Sequence, residues 1–229
     1  MIKELLKIFR GDSLLDKAFQ QSYEMLDITK AMFVEASESL RHRSDNKLKT
    51  TIYDQDIAVN KYEREVRKNV FNHLTVTGTE DIYSGLVLIS IIIDIERLGD
   101  YTKNIVELAE NHPKKLEGGK YEKDLIKIEA AITDSYKLTK EAFQQGDKEQ
   151  ATKMLKEYEW VNRLCDKHLI DYIKEKDESV TVCDAVTLAL YYRFLKRVNS
   201  HLRNIVTSVV NPFHKIGFYK KKKKKKNKS

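Results

Sequence analysis

The sequence predicts an all-α protein made of two tandem three-helix bundles, six long helices in all. Three observations predict it. Apolar residues recur at intervals of three and four along nearly the whole chain, the period of a helix that buries one face. Only two prolines occur in 229 residues and charged residues make up 34%, which suits long helices rather than a β fold. Short features also repeat in register. Arg97 and Asn104-Ile105-Val106 return 100 positions later as Arg197 and Asn204-Ile205-Val206, and Val59-Asn60 returns as Val161-Asn162. Agreement of several weak matches at one offset is the signature of an internal repeat.

The breakers place each helix. Gly11-Asp12-Ser13 precedes the first, which is expected to run to about Arg43, and the second spans about Asp45 to Leu74. "TVTGTED" reads as the following turn, with Thr77 and Glu80 spaced as a capping box. The third ends at Asn111-His112-Pro113, because proline cannot continue a helix. "PKKLEGGK" is the clear linker. A fourth helix covers about Tyr121 to Gln145 and breaks at Gly146-Asp147; a fifth covers about Lys148 to Asp177; a sixth runs from about Val180 to Asn211-Pro212. Residues 1–113 therefore form the first repeat, 114–120 the linker, 121–213 the second repeat and 214–229 a basic, disordered tail.

The formal net charge is +7, but Lys220 to Lys226 are seven consecutive lysines, and the rest of the chain is balanced. The basic excess describes a tail, so nucleic acid is not an expected partner. Cys165 and Cys183 have no metal or redox spacing. Both read as small buried hydrophobes, and a reducing cytoplasm is the expected compartment. "MIKELLKIFRG" lacks the apolar core of a signal peptide. The most apolar run, Leu86 to Ile93, is far shorter than the roughly 20 residues a membrane span needs.

The anomaly is acidic. Ile82, Leu86, Ile89 and Ile93 have 4-3-4 spacing, and the next steps of the same stripe are Glu96 and Asp100. On the second helix, Ile52, Asp56, Val59, Glu63, Val66 and Val70 form a similar stripe, flanked by Asn60 and Arg67. Unpaired carboxylates in a helix seam cost several kcal/mol and repel one another. Ion pairs to Arg67, Arg97 or Lys103, a seam open to solvent, or a bound cation would each remove that cost. If no metal is bound and the acids are buried, at least one should have a raised pKa. A cation among oxygen donors would be a hard one. No histidine follows a glutamate at the E-x-x-H spacing of di-iron bundles, and no P-loop, G-x-S-x-G or catalytic-triad spacing is present. A structural or sensory site, not an enzyme, is the expectation.

These residues resemble a known family. "DIERLGDYTKNIVE" is similar to the E-R-x-G-D-x-x-x-N-I signature of the PhoU family, and "YDQDIAVNKYEREV" to its D-x-x-V-N-x-x-E helix. The resemblance covers about Ser13 to Phe213. It implies tandem three-helix bundles and a first-repeat metal site held by Asp56, Glu96 and Asp100, with Asp94 where many relatives also place an acid. The metal would be iron, Mn, Mg or Zn. The resemblance also implies a regulator of phosphate uptake and phosphate-responsive signalling. Its partners would be a phosphate transporter, a sensor histidine kinase, or both, and the expected form is a homo-oligomer, such as a homodimer, in the cytoplasm.

The second repeat departs from the pattern. Tyr158 matches Asp56, Cys165 matches Glu63, Lys196 matches Glu96 and Ser200 matches Asp100, while Arg193 stands at the place of Ile93. A second metal site is therefore not expected. Arg193 or Lys196 should supply a built-in cation instead, with Glu157, Glu159 and Asp166 as candidate partners. The lysine run could hold the protein to an anionic membrane surface, and the amphipathic "IKELLKIF" could dock on the bundle or on a second subunit. The competing reading is a metal-free helical adaptor, associated with membrane or RNA through its tail.

Overall fold

The structure is a computed structural model that describes residues 13–42 and 48–219, with the side chains of 48–51 outside the description. The amino-terminal "IKELLKIF" and the run Lys220 to Lys226 lie outside the described residues. Within them, all regular structure is helical: α1 (Leu14–His42), α2 (Leu48–Thr77), α3 (Ile82–Asn111), α4 (Glu122–Gln145), α5 (Lys148–Glu157), α6 (Glu159–Ile173) and α7 (Val182–Val210), with 3-10 turns at Gly119–Tyr121 and Phe213–Lys215.

The ends follow local chemistry. Ser13 Oγ accepts the Asp16 backbone N–H at 3.0 Å and so caps α1. Gly146 takes the left-handed φ of +60° that closes α4. Asp147 then caps α5 by accepting from the Glu149 and Gln150 N–H groups at 2.8 and 3.1 Å. The expected Thr77–Glu80 capping box is absent. α2 continues through Thr77, whose hydroxyl donates to the His73 carbonyl, and Asp81 before α3 accepts no capping hydrogen bond. Asp81 instead faces His73 at 2.8 Å, both buried.

The expected fifth helix is two helices, α5 and α6, which meet at Tyr158 with φ −99° and ψ 13°. Donors from α7 stabilise the break: Arg203 donates to the Leu155 carbonyl at 2.7 Å and Asn199 to the Tyr158 carbonyl at 3.5 Å. The sequence pattern is continuous there, and the interruption is a tertiary effect. α6 also stops at Ile173, short of the expected Asp177.

In the first repeat α1, α2 and α3 pack pairwise; in the second, α7 packs on α4, α5 and α6. α3 against α7 and α1 against α4 join the halves, so one apolar core runs from Leu15 to Val209. Gly85 allows α2 and α3 to approach, since a Cβ there would lie 2.9 Å from both Val70 and Leu74 side chains. The linker is anchored: Leu116 is fully buried, and its N–H donates to the Leu40 carbonyl at 2.9 Å. Cys165 is buried as expected, and burial pushes its thiol up to about 12, whereas Cys183 is exposed, contrary to expectation.

A capping box does form at α7, between Thr181 and Asp184. Burial alone would raise the Asp184 pKa. Donors from Thr181, Lys114 and His112 outweigh it and hold the carboxyl at about 2. A carboxyl depressed in the native state binds fewer protons than in the unfolded chain. Its stabilisation is therefore present above about pH 4 and lost as pH falls towards 2. Asp184→Asn is expected to lower the melting temperature at pH 7, and the gap from wild type should narrow between about pH 4 and pH 2. Melts across that range check it, and a gap that stays constant or widens on acidification contradicts it.

Candidate carboxylate seam

α2 carries its acids as its spacing predicts. Ile52, Val59, Val66 and Val70 are fully buried, and Asp56, on the same stripe, is 9% exposed. α3 corrects the expectation. Its core face is Leu88, Ile91, Ile92, Ile95 and Leu98, continued by Thr102 and Ile105. Of the expected seam, Ile82, Leu86 and Ile93 are instead 40, 41 and 42% exposed, while Ile89 is partly buried against the core. The segment from Leu86 to Ile95 is apolar on nearly every side, so periodicity alone could not choose the face. Glu96 and Asp100 consequently lie beside the core, with side chains 16 and 27% exposed.

Ion pairs and an open margin together relieve the seam. Lys103 Nζ lies 2.9 Å from Asp56 Oδ2 and 3.1 Å from Asp100 Oδ1, so one ammonium bridges α2 and α3. Asn60 Nδ2 donates to the same Asp56 Oδ2 at 3.0 Å. Arg97 takes the other Asp100 oxygen at 2.7 Å and stands 3.6 Å from Glu96 Oε2. Arg67 pairs with Glu63 at 2.7 Å on α2. Desolvation and then the charge of Asp100 push Glu96 up to about 7, against the opposing pull of Arg97, the raised acid expected of crowded, part-buried carboxylates.

The three implied metal ligands thus share one seam, but their oxygens are divided among protein cations. Among the described residues no three Asp, Glu, His or Cys side chains gather as a metal-holding group. The donor chemistry suits a hard cation; the placement does not fit one, because Lys103 stands between the Asp56 and Asp100 oxygens such an ion would need.

In the second repeat, Lys196 from α7 holds both oxygens of Asp166 on α6 at 2.6 and 2.7 Å, while Arg193 is exposed. Of the named candidates, Lys196 and Asp166 meet. Asp166 is 45% exposed, so the pair contributes no more than about 1 kcal/mol. Beside it the seam is neutral: Asn162 donates to Ser200 Oγ at 3.0 Å and accepts from Asn199 at 2.9 Å.

Two clusters between the repeats went unread in the sequence. Asp94 of α3 receives His201 at 2.6 Å and Asn204 at 3.1 Å from α7, with Arg197 donating to the Tyr101 hydroxyl at 2.9 Å. Buried Arg41 contacts the Leu116 carbonyl, Glu122 and Glu129. Asp94 stood out by the family resemblance and Arg197 and Asn204 by the repeat, but nothing in the sequence pairs them, and Arg41 carried only a charge at a helical position.

A doubled three-helix repeat with an E-R-x-G-D helix beside a D-x-x-V-N-x-x-E helix defines a class of tandem helical-bundle proteins. The PhoU domain matches this chain twice, at residues 23–109 and 125–209. The chain belongs to the PhoU domain family. It is 21% identical over 216 residues to the phosphate-specific transport system accessory protein PhoU homolog of Clostridium acetobutylicum, covering 89% of this chain and 93% of that one. The fold is similar to the crystal structure of PhoU from Pseudomonas aeruginosa, with a TM-score of 0.74 at 19% identity over 86% of this chain and 95% of that one. It is also similar to the phosphate transport system regulatory protein PhoU from Streptococcus pneumoniae, with a TM-score of 0.73 at 15% identity over 85% and 92%. No helix among the described residues is long and apolar enough to cross a membrane.

Proposed function

We propose that this protein restrains phosphate uptake and phosphate-responsive signalling from the cytoplasmic side of the membrane, by binding a phosphate transporter or its associated sensor histidine kinase. The observation that carries this reading is the double match to the PhoU domain over residues 23–109 and 125–209, supported by a full-length relative described as an accessory protein of a phosphate-specific transport system. The role is regulatory. That role is supported by the relative's description as an accessory protein, and the seam carboxylates Glu63, Asp100 and Asp56 pair with Arg67, Arg97 and Lys103.

Copurification tests it. Affinity-tagged full-length protein, captured from detergent extracts of phosphate-replete cells, should enrich phosphate-transporter subunits or the kinase. Enrichment of neither overturns the reading. Lys220 to Lys226 would add attraction to anionic lipid, up to about 1 kcal/mol per lysine near the surface. Binding to anionic vesicles should fall steeply with salt. Truncation after Tyr219 should abolish it and leave the helical circular dichroism unchanged. Binding that survives truncation contradicts a role for the run.

A further inference from the structure

We propose that the Lys103 ammonium is the resident cation of the first repeat, and that it keeps divalent metal ions out of the Asp56–Asp100 seam. The inference is independent of the transporter reading and rests on the placement of this chain's own side chains.

Four carboxylates line the seam, Asp56 and Glu63 from α2 with Glu96 and Asp100 from α3, and each lies beside a cationic side chain. Arg67 serves Glu63, and Arg97 serves Asp100 and, at longer range, Glu96. Asp56 and Asp100 come from different helices, and a cation joining α2 to α3 must use them. Lys103 does so, at 2.9 and 3.1 Å. A metal ion joining α2 to α3 through Asp56 and Asp100 would compete with Lys103 for these carboxylates, and an ammonium and a divalent ion repel one another strongly at such short range. Metal entry therefore requires Lys103 to swing away from both carboxylates and from a site where its side chain is only 24% exposed.

The second repeat shows the same device in simpler form. Its last helix, α7, supplies Lys196, and the helix before it supplies Asp166, which binds the ammonium through both oxygens. In each repeat a lysine from the last helix joins an aspartate of the preceding one. The registers differ, since Lys196 matches Glu96 rather than Lys103, so the two lysines reach the same solution from different positions.

Purified full-length protein, stripped with chelator and titrated with Mn2+, tests the inference. Lys103→Met should bind Mn2+ at least about tenfold more tightly than wild type, and Mn2+ should raise the melting temperature of the variant but not of wild type. Adding Asp100→Asn to Lys103→Met should remove the gain. Where Lys103→Met does not fold, Lys103→Gln replaces it, keeping a donor to the carboxylates without the charge. Wild type that binds Mn2+ as tightly as the variant overturns the proposal. So does wild type that is purified with stoichiometric iron, manganese, magnesium or zinc by elemental analysis. Equal failure of both proteins to bind also overturns it, because the lysine would not be what excludes the ion.

Discussion

Arg41→Met is expected to destabilise the protein by about 3–5 kcal/mol, the loss typical of a buried ion pair broken on one side. Arg41 is 6% exposed at the end of α1. It contacts the Leu116 carbonyl and Glu122, and its Nε lies 3.1 Å from Glu129 on α4. Glu129 also accepts from the Tyr191 hydroxyl of α7 at 2.8 Å. One guanidinium therefore ties the first repeat, the linker and two helices of the second repeat together. Burial already raises the Glu129 pKa even with Arg41 beside it. Without Arg41 the carboxyl has to ionise in an apolar surrounding or take up a proton. Glu129→Leu in the Arg41→Met background should recover more than half of the loss, since the orphaned acid is the main penalty. Chemical denaturation measures both. A loss below about 1 kcal/mol for the single variant would place the pair among solvated ones.

Phe33→Ala is expected to cost about 3–5 kcal/mol by opening a cavity, and to do so in one transition for the whole molecule. Phe33 on α1 and Tyr136 on α4 are each 1% exposed, and their rings lie 5.7 Å apart across the boundary between repeats. The core is continuous from Leu15 to Val209, so weakening it on the first-repeat side should not leave the second repeat standing alone. Trp160, the single tryptophan, sits in α6 of the second repeat. Its fluorescence and the far-ultraviolet dichroism should shift together in denaturant. Two separated transitions in the variant would show that the repeats are independent folding units.

The difference between what the sequence revealed and what it hid is physical. Helix identity and most boundaries were legible because caps and breakers act locally: Ser13, Gly146-Asp147, Pro113 and Pro212 all end or begin helices where expected. The face of α3 was not, because Leu86 to Ile95 is almost uniformly apolar and only packing against α1, α2 and α7 selects a side. The break at Tyr158 depends on Asn199 and Arg203, about forty residues distant in sequence, and leaves no local mark. Within the seam, the clustering of Asp56, Glu96 and Asp100 was legible from spacing and from the family resemblance. Lys103 could be named as a candidate, but its bridge between α2 and α3 needed the three-dimensional approach of two helices. Arg41 and His201 carried no signal, since a single charged residue at a helical position has the same pattern whether it is solvated or buried.

That the protein restrains phosphate transport is tested most directly by deleting its gene and measuring labelled phosphate uptake in phosphate-replete cells. Uptake should rise on deletion and return to its original rate when the full-length chain is restored. Uptake unchanged by deletion would contradict a regulatory role at the transporter.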